Sequence, residues 1–199
     1  MTETPNTREL DREHGCFRSV ITDLEMHSAP GERVVAPPHP DVTIERWAQP
    51  SRGEYLALFR RIGDPWLWYG RLEQAPSRID ALLADPAHEV WRLRDGGAVA
   101  GLCELDRSVA GEVEIAYFGL VPEAIGRGLA GFFLRSMVAR AWQDGVERVW
   151  LHTCTEDHPG ALDFYRHIGF RVRGRRTEWI RDPRLRGLLP RDAGEPFSS

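Results

Sequence analysis

Apolar residues recur along the chain with two periods, which predict strands where the period is two and helices where it is three to four. Alternation over residues 42–48 predicts a strand. Residues 51–63 place their apolar side chains on one helical face, and Ser51 is a typical helix-capping residue. A second short helix follows, with Pro76 in its first turn.

The second half of the chain alternates strands with helices. A hairpin turned at Gly96 and Gly97 leads to a further, mostly apolar strand. The next helix carries a broad apolar stripe, which is typical of a helix packed against a sheet. These later elements are predicted at residues 88–95, 98–106, 111–121, 129–142, 147–155, 159–169 and 170–180. The order β-α-α-β-β-β-α-β-α-β predicts an α/β fold with one mixed sheet and helices on both of its faces.

The two ends of the chain lack these periods. Residues 1–40 are polar near the start and rich in proline further on, which is typical of a partly flexible arm or one draped over the surface. We therefore expect an N-terminal arm over residues 1–40, one domain over 41–181 and a C-terminal tail over 182–199.

Composition narrows the class of protein. Hydrophobic residues make up 42% of the 199 residues and charged residues 28%, as in soluble globular proteins. No apolar run is long enough to cross a membrane, and the first residues lack the apolar core of a signal peptide. Cys16, Cys103 and Cys154 are widely spaced and odd in number, which favours a reducing compartment. We therefore expect a cytoplasmic protein with no membrane partner.

Charge excludes further classes. The net charge of −4 argues against a protein that coats nucleic acid, and so we expect no nucleic-acid partner. All 26 basic residues are arginine. The chain therefore offers no lysine for a P-loop or for a Schiff base.

A glycine-rich turn precedes the long amphipathic helix, and residues 126–131 spell G-x-G-x-x-G, the fingerprint of dinucleotide-binding folds. Such folds place an acidic residue about 20 residues further on, at the end of a strand, to bind the ribose. Glu147 has that spacing, but it stands at the start of its strand, and residues 122–125 make the loop long. An NAD(P)-binding Rossmann oxidoreductase is therefore kept as an alternative only.

The segment LVPEAIGRGLA, followed by the amphipathic helix, resembles the acyl-CoA-binding motif of the GNAT (Gcn5-related) N-acetyltransferases. Gly128 and Ala130 fill the last two positions of that motif, while Ile125 stands where the family usually has arginine or glutamine. The segment DHPGALDFYRHIGF resembles a second family motif at the expected distance. The resemblance covers about residues 42–180.

The resemblance implies an enzyme that moves an acetyl group from acetyl-CoA to an amine by direct attack in a ternary complex, with no metal. It implies that the turn binds the pyrophosphate through main-chain N–H groups, and that the strand before it splays from its parallel neighbour to admit the pantetheine arm. A main-chain N–H near Leu120 would stabilise the oxyanion. The expected cofactor-binding residues are Phe118, Leu120, Ile125, Gly126, Arg127, Gly128, Leu129, Ala130 and Asp157.

Two residues are candidates for the chemistry. Because a primary amine has a pKa near 10.4, only about one part in a thousand is neutral at pH 7, and a carboxylate that takes the proton helps the attack. By resemblance Glu114 is this general base, and Glu112 lies on the same strand face. Tyr165 matches the family's leaving-group tyrosine and would donate a hydrogen bond to the sulfur. The alternatives are a solvated or arginine-paired charge for Glu114 and a core aromatic for Tyr165.

Trp66, Trp68 and Tyr69 lie in the loop after the first helix, which in the family usually forms part of the acceptor pocket. Aromatic rings can receive an apolar or cationic substrate, and core packing is the alternative. We expect a small-molecule or peptide amine as acceptor, and a monomer or homodimer. A catalytically silent acyl-CoA-binding module, suggested by Ile125, stays open as a second interpretation.

Residues 152–158 contain four side chains that zinc accepts, namely His152, Cys154, Asp157 and His158. Their spacing matches no usual zinc pattern. We therefore expect no metal at this segment.

Overall fold

The computed structural model describes residues 10–11, 15–31, 36–142 and 145–194 of the chain. Within these ranges eight strands form one sheet, and four α-helices accompany it. The strands are β1 (Leu10–Asp11), β2 (Cys16–Met26), β3 (Val42–Arg46), β4 (His88–Asp95), β5 (Ala98–Asp106), β6 (Glu112–Leu120), β7 (Arg148–Cys154) and β8 (Arg171–Arg181). The helices are α1 (Arg52–Gly63), α2 (Pro76–Ala84), α3 (Leu129–Ala141) and α4 (Ala161–Ile168).

The sheet is mixed, which confirms the predicted fold class. Its strands follow the order β2-β7-β6-β5-β4-β3, while β8 pairs with β2 along its length and β1 pairs with the start of β2. Each pairing among the described strands is antiparallel except that of β6 with β7. Ala100 to Leu105 of β5 are buried throughout, because α1 covers one face of the sheet and α3 the other. No described helix is long and apolar enough to cross a membrane.

The parallel strands β6 and β7 run side by side only at their starts, where Glu112–Glu114 pair with Arg148–Trp150. Beyond that point β6 follows β5 as far as Leu120, and β7 follows β2 as far as Cys154. A register shift in the β5–β6 ladder near Leu105 adds a local irregularity. The two strands therefore splay, as the resemblance implied, and a gap opens at their carboxyl ends.

Helix α1 packs closely on β6. Ser51 caps the helix as predicted, in a reciprocal capping box with Glu54. Gly119 of β6 lies beneath the other end of the helix, where an added Cβ atom would come within 2.5 Å of Ile62 Cγ2 and 3.0 Å of the Trp68 ring. Glycine therefore permits the close approach of α1, and of the loop after it, to the strand that borders the gap.

The expectation of an N-terminal arm is wrong for residues 16–26, which form the interior strand β2 between β7 and β8. Its buried side chains lie on one face in the first half, from Phe17 to Ile21, and on the other face in the second half, from Thr22 to Met26. Because the buried face switches halfway, apolar residues do not alternate continuously, and the strand escapes a search for period two. The parts of the predicted arm that lie outside the described residues are 1–9, 12–14 and 32–35.

The expected C-terminal tail is also packed in part. Leu189 and Ala193 are buried against Phe17 of β2 and Leu67 of the loop after α1. These four residues form a second apolar cluster, which we call the terminal cluster. It joins the two ends of the described chain to the loop that carries the predicted aromatic residues. Residues 195–199 lie outside the described residues.

Candidate active site

A cleft of about 520 Å³ lies where β6 and β7 separate, and we call it the cofactor cleft. Its walls are the end of β6, the glycine-rich turn and the first turns of α3 and α4. The residues expected to bind the cofactor that line this cleft are Phe118, Leu120, Ile125, Gly126, Gly128, Leu129, Ala130 and Asp157. The fold therefore brings the turn and the splayed strand together at one concave surface.

The glycine-rich turn is shaped to receive an anion. Gly126 and Gly128 have φ angles of +78° and +75°, which residues with a Cβ atom rarely adopt. An added Cβ atom at either position would meet nothing within 4 Å, so backbone conformation rather than space requires glycine. Helix α3 begins at Leu129 without a side-chain cap. The N–H groups of its first turn, which carry partial positive charge, are therefore available to a bound phosphate.

Arg127 departs from what the sequence led us to expect. Its guanidinium lies 2.5 Å from Oδ2 of the mostly buried Asp95, at the end of β4, and it does not line the cofactor cleft. Ile125 does line the cleft and presents an apolar side chain there. The expected charge-assisted bond from Arg127 to a pyrophosphate is thus not preformed, and main-chain donors dominate the turn.

A second cavity of about 310 Å³ adjoins the cofactor cleft, and we call it the acceptor cavity. The two share five lining residues, Trp66, Trp68, Phe118, Asp157 and Tyr165. The rest of its wall comes from β2, β8, the middle of β6, the end of β7 and the loop after α1. A molecule in one cavity can therefore touch a molecule in the other at this junction.

Tyr165 of α4 stands at the junction. Its side chain is 9% exposed and packs edge-on against Phe170. Burial raises the pKa of the Tyr165 phenol, so the hydroxyl stays protonated throughout the physiological range. Such a group can donate a hydrogen bond to a sulfur but is a poor source of a full proton.

The aromatic residues Trp66, Trp68 and Tyr69 all line the acceptor cavity. The ring of Trp68 lies 5.0 Å from that of Tyr117 on β6, and its indole N–H donates to Asp157 at 3.4 Å. Trp68 therefore combines the two alternatives that the sequence left open, because it both packs on the core and walls the cavity.

A buried ionic cluster anchors this aromatic loop. Glu104 of β5 is fully buried, accepts hydrogen bonds from Tyr55 (2.6 Å) and Arg71 (2.8 Å), and contacts His88 Nε2 at 3.0 Å. Burial by itself would raise the pKa of Glu104, but Arg71 and the hydrogen bonds outweigh it and the pKa is lowered. Arg71 also lies over the ring of Tyr117, which lines the acceptor cavity. Sequence reasoning missed this cluster, although a glutamate inside an apolar strand was a visible signal.

Glu114, the expected general base, is partly exposed on β6 and does not line the acceptor cavity. Its carboxylate lies 3.7 Å from Nδ1 of His152 on β7, and His152 does line the cavity. The interaction with Glu114 raises the pKa of His152 against the opposing effect of burial. Glu112, on the same face, instead binds Arg148 at 2.9 Å. Glu114 is thus connected to the cavity through His152, which the sequence offered only as a metal ligand.

The carboxylate of Asp157 is held in place by hydrogen bonds from nearby residues. It accepts hydrogen bonds from Thr153 Oγ1 at 2.7 Å and from the main-chain N–H of Cys154 at 2.9 Å. Together with the Trp68 indole, these donors hold the turn after β7 against the aromatic loop. Across the part of the chain that the structure describes, no group of three or more His, Cys, Asp or Glu side chains is arranged to hold a metal ion.

Two nearly fully buried polar residues complete the acceptor cavity, and sequence reasoning missed both. Ser19 of β2 donates its hydroxyl hydrogen bond to Glu156 at 2.5 Å. Ser19 falls in the segment expected to be an arm, and Glu156 follows β7 in a loop of mixed polarity. Neither position carries a pattern that links it to the other, because 137 residues separate them along the chain.

Residues 44–170 match a family model described as the acetyltransferase (GNAT) family. The chain is 31% identical to the N-alpha-acetyltransferase RimI of Mycobacterium tuberculosis over 137 residues, which cover 67% of this chain and 79% of that protein. It is also 31% identical over 101 residues to an uncharacterised N-acetyltransferase of the same organism. That alignment covers 51% of this chain and 64% of the relative, so the chain spans less than two thirds of the relative's length.

A solved structure shares the fold. The GCN5-related N-acetyltransferase from Sphaerobacter thermophilus superposes with a TM-score of 0.57 over 84% of this chain and 52% of that chain. The two sequences are 21% identical. The similarity therefore supports the architecture of the sheet and helices.

Proposed function

The chain belongs to the GNAT acetyltransferase family, and from this premise we propose that it is an acetyl-CoA-dependent N-acetyltransferase acting by direct attack in a ternary complex. The observation that carries the proposal is the junction of the cofactor cleft with the acceptor cavity at Tyr165. The Rossmann alternative is wrong, because the family match spans the glycine-rich turn and the sheet around it is antiparallel apart from β6 and β7.

In this proposal the cofactor cleft binds acetyl-CoA as a co-substrate. The pyrophosphate sits at the N–H groups of the turn from Gly126 to Ala130. The pantetheine arm enters the gap between β6 and β7 and pairs with main-chain groups of β6. A main-chain N–H near Leu120 then faces the thioester carbonyl and stabilises its oxyanion. This arrangement needs no basic side chain at Ile125, because backbone donors bind the phosphates.

The reaction is a transfer between the two cavities. The lone pair of the acceptor nitrogen forms a bond to the thioester carbon, the carbon–sulfur bond breaks, and coenzyme A leaves as a thiolate. Tyr165 donates a hydrogen bond to that sulfur, which lowers the energy of the departing charge. The proton lost by the amine goes to a base on the acceptor side.

We propose that Glu114 acts through His152. A neutral His152 takes the proton of the attacking amine at the wall of the acceptor cavity. Glu114, 3.7 Å away, stabilises the imidazolium that results. The raised pKa of His152 makes its neutral form a stronger base for this step.

A broad panel of amines tests the proposal, with acetyl-CoA as donor and free thiol as the measured product. The panel includes small mono- and diamines, amino acids and peptides with free N-termini, since one relative is named as an N-alpha-acetyltransferase. Turnover of any class is the expected result. Stabilisation of the fold by acetyl-CoA without turnover on any amine would instead favour the silent acyl-CoA-binding module, for which Ile125 is the supporting feature.

The acceptor itself, an amine of small-molecule or peptide origin, is part of this proposal. Cytoplasmic location and a monomeric or homodimeric state stay predictions from the sequence. Size-exclusion chromatography with light scattering measures the second of these directly.

A further inference from the structure

The acceptor cavity contains a buried carboxylate that no cation neutralises among the described residues. Glu156 is 5% exposed, and its oxygens accept hydrogen bonds from the hydroxyl groups of Ser19 at 2.5 Å and Thr155 at 2.9 Å. Hydroxyl groups satisfy the lone pairs of a carboxylate but leave its charge uncompensated. Buried charges are normally paired, because removing an ion from water is costly.

The other carboxylates of this molecule show how unusual Glu156 is. Glu104, which is fully buried, has Arg71 at 2.8 Å. Within the acceptor cavity Glu178 is paired with Arg176 at 2.8 Å, and Glu73 is paired with an arginine at 2.9 Å. Glu156 therefore stands apart as a cavity carboxylate that is nine-tenths buried and has neutral donors only.

The surroundings of Glu156 favour a cationic ligand over an anionic or apolar one. The acidic side chains that line the cavity are Glu73, Glu156, Asp157 and Glu178, and the basic ones are His152 and Arg176. Carboxylates thus outnumber cations, and the aromatic rings of the loop after α1 line the same cavity. Aromatic faces attract cations, more strongly where water is excluded.

The position of Glu156 relative to the junction sets its role. The neighbouring residue, Asp157, belongs to both cavities, whereas Glu156 lines only the acceptor cavity. Ser19, its hydrogen-bond donor, lies on β2 opposite Glu178 of β8. The carboxylate of Glu156 is therefore set back from the reacting nitrogen, toward the β2–β8 side of the cavity.

We propose that Glu156 binds a second positively charged group of the acceptor, so that the preferred substrate is an amine with at least two cationic nitrogens, one acetylated and one held at Glu156. The inference rests on the proposed function, because it assigns the acceptor class of the same cavity. The second nitrogen supplies the positive charge that the described residues do not, and the buried carboxylate becomes part of an ion pair when substrate binds.

Steady-state kinetics on matched amines test the proposal. A series of α,ω-diamines of increasing chain length is compared with alkyl monoamines of the same length, with acetyl-CoA saturating. In the wild-type enzyme kcat/KM should favour the best diamine by about 10- to 100-fold, the range expected of one charge-assisted hydrogen bond. The variant Glu156→Gln keeps the shape and the acceptor oxygen but removes the charge, and it should bring this ratio close to one.

Two further variants sharpen the result. Glu147→Gln makes the same chemical change at an exposed residue outside both cavities and should keep the wild-type ratio. Glu156→Asp keeps the charge but withdraws it by one methylene, and it should shift the optimum to a longer diamine. If Glu156→Gln does not fold, this shift alone decides the matter. A wild-type ratio near one, or an unchanged optimum in Glu156→Asp, overturns the inference.

A binding measurement separates this inference from the proposed function. A bis-quaternary ammonium salt cannot be acetylated, and calorimetry reports its affinity without turnover. Binding to the wild type but not to Glu156→Gln, with no amine acetylated, would leave the cation site standing while the acetyltransferase proposal failed. Turnover of monoamines and N-terminal peptides with no gain for diamines, and no binding of the salt, would leave the acetyltransferase standing and refute the cation site.

Discussion

The cofactor cleft and the acceptor cavity meet at five residues, yet they are built from different parts of the chain. The cleft is lined by residues between 66 and 165, all inside the segment 44–170 that matches the family. The acceptor cavity adds walls from β2 and β8, which lie outside that segment. The segment that matches the family therefore contains the whole cofactor cleft but only part of the acceptor cavity.

The cofactor cleft and the acceptor cavity also differ in the groups that they offer to a ligand. In the proposed function the cofactor cleft binds through backbone groups at Gly126 and Gly128, whose φ angles are positive, and at the uncapped start of α3. The acceptor cavity would instead bind through side chains, which long-range contacts such as that of Ser19 with Glu156 hold in place. Substitutions should accordingly separate into those that change acetyl-CoA affinity and those that change acceptor kinetics.

The largest expected effect is on proton transfer. Glu114→Gln leaves His152 in place but removes the carboxylate that stabilises its imidazolium, and should lower kcat/KM by about 10²-fold or more, within the range that general base assistance contributes. Glu114 raises the pKa of His152, and only neutral His152 accepts a proton, so activity falls as pH drops through that pKa. Without Glu114 the pKa is lower, and the acidic limb of the pH–kcat/KM profile should move to lower pH. The loss should shrink at high pH, where the amine is already neutral.

Glu112→Gln is the matched control for that experiment, since Glu112 shares the strand face but binds Arg148. Its kcat/KM and pH profile should stay close to those of the wild type. A Glu114→Gln enzyme that is slowed equally at every pH would show a positional role, and an unslowed one would remove Glu114 from the mechanism.

The next largest effect is expected on the cofactor cleft alone. Gly128→Asp puts a side chain at a φ of +75° and a negative charge at the anion site, and should weaken acetyl-CoA binding by roughly 100-fold or more. Isothermal calorimetry measures the affinity. Gly53→Asp, in the first turn of α1 with open space around it, is the control and should bind normally. Unchanged affinity in folded Gly128→Asp would refute the assignment of the turn.

A smaller effect is expected at the junction. Tyr165→Phe removes one hydrogen bond to the departing sulfur and should lower kcat by roughly tenfold, while the affinity for acetyl-CoA and the melting temperature stay near wild type. Rapid-quench single-turnover kinetics measure the chemical step. A variant with wild-type kcat on its best acceptor would mean that Tyr165 serves packing only.

The smallest effect on binding is expected from a substitution in the terminal cluster, at a distance from the acceptor cavity. Leu189→Ala opens a void in the terminal cluster, and should cost about 2 kcal/mol of unfolding free energy and raise acceptor KM severalfold without changing acetyl-CoA affinity. Leu185→Ala, in the same segment but 65% exposed, is the control and should behave as the wild type. Equal loss of affinity for the acceptor and for acetyl-CoA would show that substitutions cannot change the acceptor cavity without changing the cofactor cleft.

Prediction from sequence succeeded where one local signal decides the structure. Three features show this: the capping box at Ser51, the glycine turn of the β4–β5 hairpin and the apolar stripe of α3. Each is formed by one short, continuous stretch of the chain, so the local sequence pattern is enough to predict it. The resemblance then supplied the place of the cofactor cleft. Eight of the nine expected cofactor residues line it, but their roles stay predictions.

Prediction failed where the decisive partner is far away in sequence. Strand β2 escapes detection because its buried face changes at Thr22: Phe17 packs in the terminal cluster, whereas Leu24 and Met26 pack in the main core. Arg127 was assigned to the pyrophosphate, since nothing in the sequence reveals that Asp95 lies beside it. Glu156 and His152 gained their importance from contacts across the sheet, which no period or motif encodes.

The interior place of β2 also has a consequence for how the molecule folds. Apart from the two-residue strand β1, its neighbours β7 and β8 come from the far end of the chain, and contacts such as that of Ser19 with Glu156 span 137 residues. During synthesis most of β2 therefore lacks its pairing partners until almost the whole chain has emerged. Loops of this size close slowly, and a waiting strand edge can pair with other chains. We therefore expect slow refolding, and aggregation of any chain that ends before β8.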